Sequence, residues 1–295
     1  MKAVVCTKYG SPDVLKLVHV EKPAPENSEI LIKVYAASVT AADTMMRRGT
    51  PFYGRLFIGL LKPKNPITGT GFAGVVEHVG KDVQQFKAGD SVFGETGLGF
   101  GSNAEYVCIP EESVLAILPN NMTYEEAATL CDGALTSINF LKNIGRVQHG
   151  QRVLINGAAG SLGSAAVQLA NCFGAHVTGV CSTSNIALVK SLGADQVIDY
   201  TQEDFTKNSE SYDIIYDSVG KSAFSHCKGA LTENGVYLSP VLGLSLLLQM
   251  LWTSMFESKK ARFSATGLLP VPELKLLLNE IIKLIKRRRY EISDR

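Results

Sequence analysis

The first 119 residues are strand-rich, with short apolar runs set apart by turn residues. Ala3 to Thr7, Leu15 to Val20, Glu29 to Ala36, Gly74 to Val79, Ser91 to Phe93 and Ala104 to Ile109 are predicted strands. Gly, Pro, Asp and Asn punctuate them, as in a small barrel-like all-β domain over residues 1–119. Gly49 to Pro66 is a connection rich in Gly, Pro and aromatic residues, of a length usual for a binding loop. From residue 120 the pattern changes. Thr123-Tyr-Glu-Glu126 fits a capping box for a helix from Ala127, with a kink at Gly133 and a helical pattern continuing over Leu135 to Asn143.

From Arg152, nearly continuous apolar runs alternate with helical ones. The predicted strands are Arg152 to Asn156, His176 to Cys181, Gln196 to Asp199, Asp213 to Asp217, Gly235 to Ser239 and Ala261 to Ala265. Helices are predicted over Ser161 to Phe173, Asn185 to Leu192, Gly220 to Leu231 and Leu244 to Phe256, with a shorter one over Gln202 to Asn208. Such alternation means a parallel sheet covered on both faces, here a doubly wound domain over residues 120–268. A last helix, Pro272 to Arg288, opens a C-terminal part over 269–295.

The first of these strands runs into Gly157-Ala158-Ala159-Gly160-Ser161-Leu162-Gly163 and then a helix. A tight turn facing unpaired helix N–H groups suits a pyrophosphate. Gly160 lets the backbone approach the phosphates, and Gly163 lets the helix pack close to the strand. Alone this is a glycine-containing turn; with six alternating strands it reads as a dinucleotide site. NAD-binding units place Asp or Glu at the end of the second strand. Here that place holds Ser182, Thr183 and Asn185, hydroxyls and an amide able to bond a 2′-phosphate, so NADPH is expected over NADH. The same side chains also suit capping of the helix that follows. Asp217, Ser218, Val219, Leu238 and Ser239 sit at carboxyl strand ends and are expected to line the cofactor; Asp217 equally suits a helix cap.

Composition changes the picture little. A net charge of +1 gives no general attraction to nucleic acid. Lys283, Lys286 and Arg287-Arg288-Arg289 read as a solvated helix end. Six cysteines without a C-x-x-C pair suggest neither a disulfide framework nor a zinc knuckle. Met1 to Cys6 is too short an apolar run for a signal peptide, so a cytoplasmic protein is expected. Gly235 to Phe256 carries no charge, but Pro240 and Gly243 interrupt it; it is read as core or interface, not a membrane span.

Several segments together resemble a known family: Gly69-Thr-Gly-Phe-Ala-Gly-Val-Val-Glu-His-Val-Gly80, Phe86-Lys-Ala-Gly-Asp-Ser-Val-Phe-Gly94, Ala104-Glu-Tyr-Val107, Ala158-Ala-Gly-Ser-Leu-Gly163, Ser191-Leu-Gly-Ala-Asp195, Val197-Ile-Asp-Tyr200 and Tyr216-Asp-Ser-Val-Gly220. The resemblance is to the medium-chain dehydrogenase/reductase superfamily, in its zinc-free quinone oxidoreductase (zeta-crystallin-like) branch. It implies an α/β plus β fold: an N-terminal GroES-like β domain, a Rossmann doubly wound parallel-sheet domain and a cleft for nicotinamide and substrate. Zinc-binding members carry a Cys where this chain has Ala41 to Thr44, and His-Glu where it has Thr70-Gly71. Zinc is therefore not expected. Also by resemblance, Thr136 lies near the nicotinamide, while Ser182 and Tyr200 lie at the adenosine 2′-phosphate. Asn185 falls where some relatives have a Lys. Thr40 and Met45 stand where relatives often have Asn and Tyr, which leaves Thr40 and the loop residue Tyr53 as catalytic candidates, Tyr53 as proton donor. Relatives continue beyond the segment like Tyr290 to Arg295, so a truncated return segment, an unpaired sheet edge and impaired activity are expected.

The resemblance further implies a homodimer, for which Gly235 to Phe256 offers apolar surface. The expected reaction is hydride transfer from NADPH to a quinone or an α,β-unsaturated carbonyl. The rivals are enoyl-thioester reduction, which needs a positioned proton donor, and a non-catalytic NADPH-binding protein.

Overall fold

The computed structural model describes residues 1–50 and 52–293, with side chains to residue 286. The Arg287-Arg288-Arg289 side chains and the end of the expected return segment lie outside the described residues. The chain divides into two compact units, residues 1–132 with 267–295, and residues 133–266.

In the first unit β1 (Lys2–Cys6) pairs antiparallel with β2 (Leu15–His19). A five-stranded antiparallel sheet follows: β3 (Glu29–Ala37), β4 (Gly71–Val79), β5 (Ser91–Glu95), β6 (Tyr106–Pro110) and β7 (Val114–Ile117), in the order β6-β3-β4-β5-β7. Its alternation packs Ile30, Ile32, Phe72, Val76, Val92 and Ile109 into one core. The four residues of β7 are too few to show a period, and no strand is predicted there.

Helices α1 (Ala41–Arg48), α2 (Arg55–Ile58) and α3 (Tyr124–Leu130) complete this part. Thr123 and Glu126 form the predicted capping box. Thr40 and Asp43 form a second one, a Thr-x-x-Asp signal lying in a segment read as active-site loop.

Instead of a kink at Gly133, the chain beyond α3 widens into a π-helical turn over Cys131–Leu135, narrows to α4 (Thr136–Ile138), and widens again over Asn139–Ile144. Such π turns recur at functional sites. In the second unit β8 (Arg152–Asn156), β9 (His176–Cys181), β10 (Gln196–Asp199), β11 (Tyr212–Asp217), β12 (Leu231–Ser239) and β13 (Lys260–Phe263) are all parallel. Their order, β10-β9-β8-β11-β12-β13, is that of a dinucleotide fold, with the switch point between β8 and β11. The intervening helices are α5 (Ser161–Cys172), α6 (Ile186–Ser191), α7 (Phe224–Cys227) and α8 (Leu244–Phe256).

Two predicted helices differ. Over Gln202 to Asn208 there are turns: Asp204 accepts from Thr206 N at 3.0 Å and Thr206 Oγ1 at 2.7 Å, and such local side-chain bonds compete with a helix. Over Gly220 to Leu231 only α7 and one 3-10 turn remain. Gly220 is left-handed, and β12 already begins at Leu231, ahead of the predicted Gly235. No helix among the described residues is long and apolar enough to cross a membrane.

The closing helix α9 (Val271–Ser293) belongs to the first unit and runs into the segment expected to turn back. It buries Leu274, Leu277, Leu278 and Ile281, one stripe at helical spacing. Lys275 holds Glu112 at 3.2 Å.

Candidate dinucleotide site

Strand β8 delivers the chain to the switch point, where Gly157 turns with φ +81°. A Cβ on Gly157 would also stand 2.7 Å from Val219 Cγ1. The turn closes by Gly160 N–H donating to Gly157 O at 3.0 Å. Gly160 then caps α5 without any side-chain bond, and the first helical bond is Ser164 N–H to Gly160 O at 2.8 Å. The preceding N–H groups of Ser161, Leu162 and Gly163 therefore face the mouth of the turn. Gly160 and Ser161 are exposed, Ala159 and Leu162 half-buried, Ala158 and Gly163 buried. A Cβ on Gly160 would meet only Gly157 O, at 3.4 Å. The mouth is open and lined by donors, a cradle that fits a pyrophosphate.

Thr136 is half-buried on α4, which packs on α5. Its neighbour Ser137 donates to Leu162 O at 2.7 Å. At the end of β9, Asn185 Nδ2 donates to Ser182 Oγ at 3.1 Å, and the Ser182 and Ser184 hydroxyls lie 3.3 Å apart, within hydrogen-bond distance. The Thr183 hydroxyl donates to Asp199 Oδ2 at 2.5 Å. Asp199 comes from the end of β10, beside Cys181 in register, and Thr201 bonds its other oxygen through N–H at 2.9 Å and Oγ1 at 2.7 Å. The Thr183 and Thr201 hydroxyls hold the Asp199 carboxyl below the usual carboxylate range. Reading β9 alone misses this carboxylate, because the neighbouring strand supplies it. Tyr200, next to it, is exposed.

At the switch point Asp217 is fully buried. Its Oδ1 accepts from Asn156 Nδ2 at 2.9 Å, while Oδ2 accepts from Ser222 N at 2.8 Å and Tyr237 OH at 2.9 Å. Asp217 thus ties β8, β12 and the segment ahead of α7 together through its carboxylate. Leu238 is likewise buried in the core. Ser218 is buried and donates to Asn156 O at 2.8 Å; Ser239 is buried and accepts from Val241 N at 3.3 Å. Of this group Val219 stays about half exposed, beside the turn.

The two catalytic candidates belong to the first unit. Thr40 caps α1, accepting from Ala42 N at 3.2 Å and donating to Asp43 Oδ2 at 3.1 Å. That engagement gives its hydroxyl a structural role. Tyr53 lies on a short 3-10 turn, Phe52–Gly54, about half exposed.

The same unit holds an acidic group that the sequence pattern did not single out. Burial, with Asp132 nearby, pushes Glu95 up from 4.5 to about 7. Burial and then Asp43 raise Asp132. The buried Cys131 thiol is raised by desolvation and by both acids. Because the folded chain holds the Glu95 proton more tightly, this contribution to stability is full below pH 4.5 and is lost as pH rises to about 7. Glu95→Gln is expected to remove that slope and to stabilise the chain at mildly alkaline pH by about 3 kcal/mol. Urea unfolding across a pH series checks it; a difference from wild type that does not vary with pH contradicts it.

Comparison with known proteins follows the same division. Residues 26–120 match the model of the alcohol dehydrogenase GroES-like domain, and residues 161–245 that of a zinc-binding dehydrogenase. Among the described residues no group of three or more His, Cys, Asp or Glu could hold a metal ion, and Thr70-Gly71 offers no imidazole or carboxylate.

The chain is 40% identical to the 2-methylene-furan-3-one reductase of Solanum lycopersicum over 231 residues, which is 75% of this chain and 58% of the relative's length. It is 30% identical over 302 residues to a chloroplastic quinone-oxidoreductase homolog of Spinacia oleracea, covering 99% of this chain and 89% of that protein. The crystal structure of Escherichia coli quinone oxidoreductase complexed with NADPH matches with a TM-score of 0.81 at 26% identity, over 97% of this chain and 88% of that one. With its antiparallel first unit and doubly wound second unit, the chain belongs to the medium-chain dehydrogenase/reductase superfamily, in the quinone oxidoreductase branch.

Proposed function

We propose that the chain is an NADPH-dependent oxidoreductase that transfers hydride to a quinone or an α,β-unsaturated carbonyl without zinc. The observation that carries this reading is the open, donor-lined turn from Gly157 to Gly163, at the switch point of the parallel sheet. The names of the tomato and spinach relatives point to an enone and a quinone as acceptors. NADPH, when bound, supplies the hydride from its nicotinamide C4. Ala158 to Gly163 hold the pyrophosphate through backbone N–H groups. Thr136 orients the nicotinamide end, while Ser182, Asn185 and Tyr200 surround the 2′-phosphate. A quinone needs little acid catalysis, since its reduced oxyanion is stable; for an enone, Tyr53 is the proton donor. The test is oxidation of NADPH with a panel of quinones and enones. Turnover on neither class sinks the proposal, and loss of enone turnover alone in Tyr53→Phe supports the donor role.

Asp199 sets an expected limit on cofactor choice. Its carboxyl lies where a 2′-phosphate would feel it, although the threonine hydroxyls occupy both oxygens. Asp199→Asn keeps an acceptor for Thr183 and removes the charge. Its preference for NADPH over NADH is expected to rise about three- to tenfold, a modest gain at an exposed site. Fluorescence titration with both cofactors measures it, and an unchanged ratio contradicts it.

The subunit arrangement we favour is a homodimer through α8. Leu248, Leu251, Trp252, Met255 and Phe256 are exposed on it, beside a groove of about 590 Å³. Sedimentation velocity of Trp252→Glu against wild type decides this. Six free cysteines suit a reducing compartment, which we take as the cytoplasm.

A further inference from the structure

Between Asp43 and Glu77 the chain contains no carboxylate side chain, whereas Arg48, Arg55, Lys62 and Lys64 fall in that stretch. Phe52, Leu56, Phe57, Leu60 and Leu61, from the same loop, are between 53% and 87% exposed. The loop is built rather than loose. Arg55 Nε donates to Gly49 O at 2.9 Å, and its guanidinium lies 4.4 Å from the Tyr9 ring centroid and 5.1 Å from that of Phe52. Tyr9 OH donates to Gly59 O, Lys64 N–H to Ile58 O at 2.8 Å, and Asn65 Nδ2 to Gly99 O at 2.5 Å. Polar bonds thus hold the backbone while large apolar side chains stand outward.

Such a cluster exceeds the single exposed apolar residues of an ordinary surface and needs a partner. Tyr53 of this loop serves the proposed acceptor site, but Leu60 and Leu61, 55% and 87% exposed, protrude, whereas a small-molecule site would bury its lining. A second copy seated symmetrically on this loop would set its Lys and Arg side chains against the same cations. Nucleic acid would meet the cations but leave the leucines and phenylalanines in water. An interface of acyl chains and anionic headgroups answers both features at once: apolar tips enter the boundary layer, and Lys and Arg reach the phosphates.

We propose that the loop from Phe52 to Lys64 docks the protein on an anionic lipid bilayer. This docking is independent of which acceptor the enzyme reduces. The test is co-sedimentation of the full chain with vesicles of phosphatidylcholine alone and of phosphatidylcholine carrying phosphatidylglycerol, at low and high salt. Binding is expected to the anionic vesicles, weakening as salt rises. Each basic residue near such a surface contributes about fivefold in affinity, so Lys62→Gln/Lys64→Gln is expected to lose about 25-fold. Leu60→Ser/Leu61→Ser removes the inserting tips and is expected to abolish sedimentation at either salt. The proposal is overturned by failure to bind anionic vesicles at low salt, by equal binding to neutral vesicles, or by wild-type binding in both variants. A concentration-dependent dimer that Leu60→Ser/Leu61→Ser dissolves, without vesicle binding, assigns the surface to a second copy and overturns it as well.

Discussion

Gly163→Ala is expected to cost the protein both stability and its nucleotide. An alanine Cβ at this position would lie 2.0 Å from Gly157 O, 2.7 Å from Gly157 C and 2.8 Å from Ala158 Cα. All three are backbone atoms of the turn, so no rotamer change relieves the overlap. Either α5 moves off β8 or the turn opens. Overpacking a tight core site ordinarily costs 1–3 kcal/mol, and a rigid backbone obstacle puts this one at about 3 kcal/mol. The same movement carries the N–H groups of Ser161 and Leu162 away from the mouth of the turn. A fall in NADPH affinity of about tenfold or more should therefore accompany the lower urea midpoint, since displaced backbone donors cannot be replaced by side chains. Wild-type stability and affinity in this variant would mean that the approach of α5 to β8 is not set by Gly163.

Asp217→Ala is expected to be still more costly to the fold. The carboxyl is buried between β8 and β12 and collects bonds from Asn156, Ser222 and Tyr237. Desolvation, followed by Asp217 itself, pushes the Tyr237 phenol far above its ordinary range, so it remains an O–H donor at any working pH. Alanine would leave the Asn156 and Ser222 donors facing a void, while Tyr237 OH keeps Ser222 O as an acceptor at 2.9 Å. At about 1–3 kcal/mol for each unmade buried bond, the loss should reach about 3–5 kcal/mol after relaxation. Tyr237→Phe removes only one of the three donors, and its hydroxyl leaves with it, so about 1 kcal/mol is expected. The order of the two variants is the diagnostic result: equal urea midpoints would show that Asp217 is not the hub of this network.

The architecture of the second unit was legible because its strands are buried on both faces. Their apolar runs and the glycine turn after β8 depend on local chemistry that a sequence displays directly. In the first unit, short β-type runs punctuated by Gly, Pro, Asp and Asn carried the same message for β1 to β6. What failed were elements whose local pattern is overruled or too short. Asp204 captured Thr206 and dissolved a predicted helix, and β7 had too few residues to show its period.

The site divides along the same line. Turn chemistry, the cap signals and the hydroxyls after β9 are properties of contiguous residues, and the sequence by itself determined them. Partners from different strands are not contiguous. Only the tertiary structure brought Asp199 of β10 to Thr183, and only sheet register set Asp217 of β11 against Asn156 of β8. Burial also decided the state of Glu95: a carboxyl looks the same in any sequence, and its affinity for a proton depends on the water and charges that the fold leaves beside it.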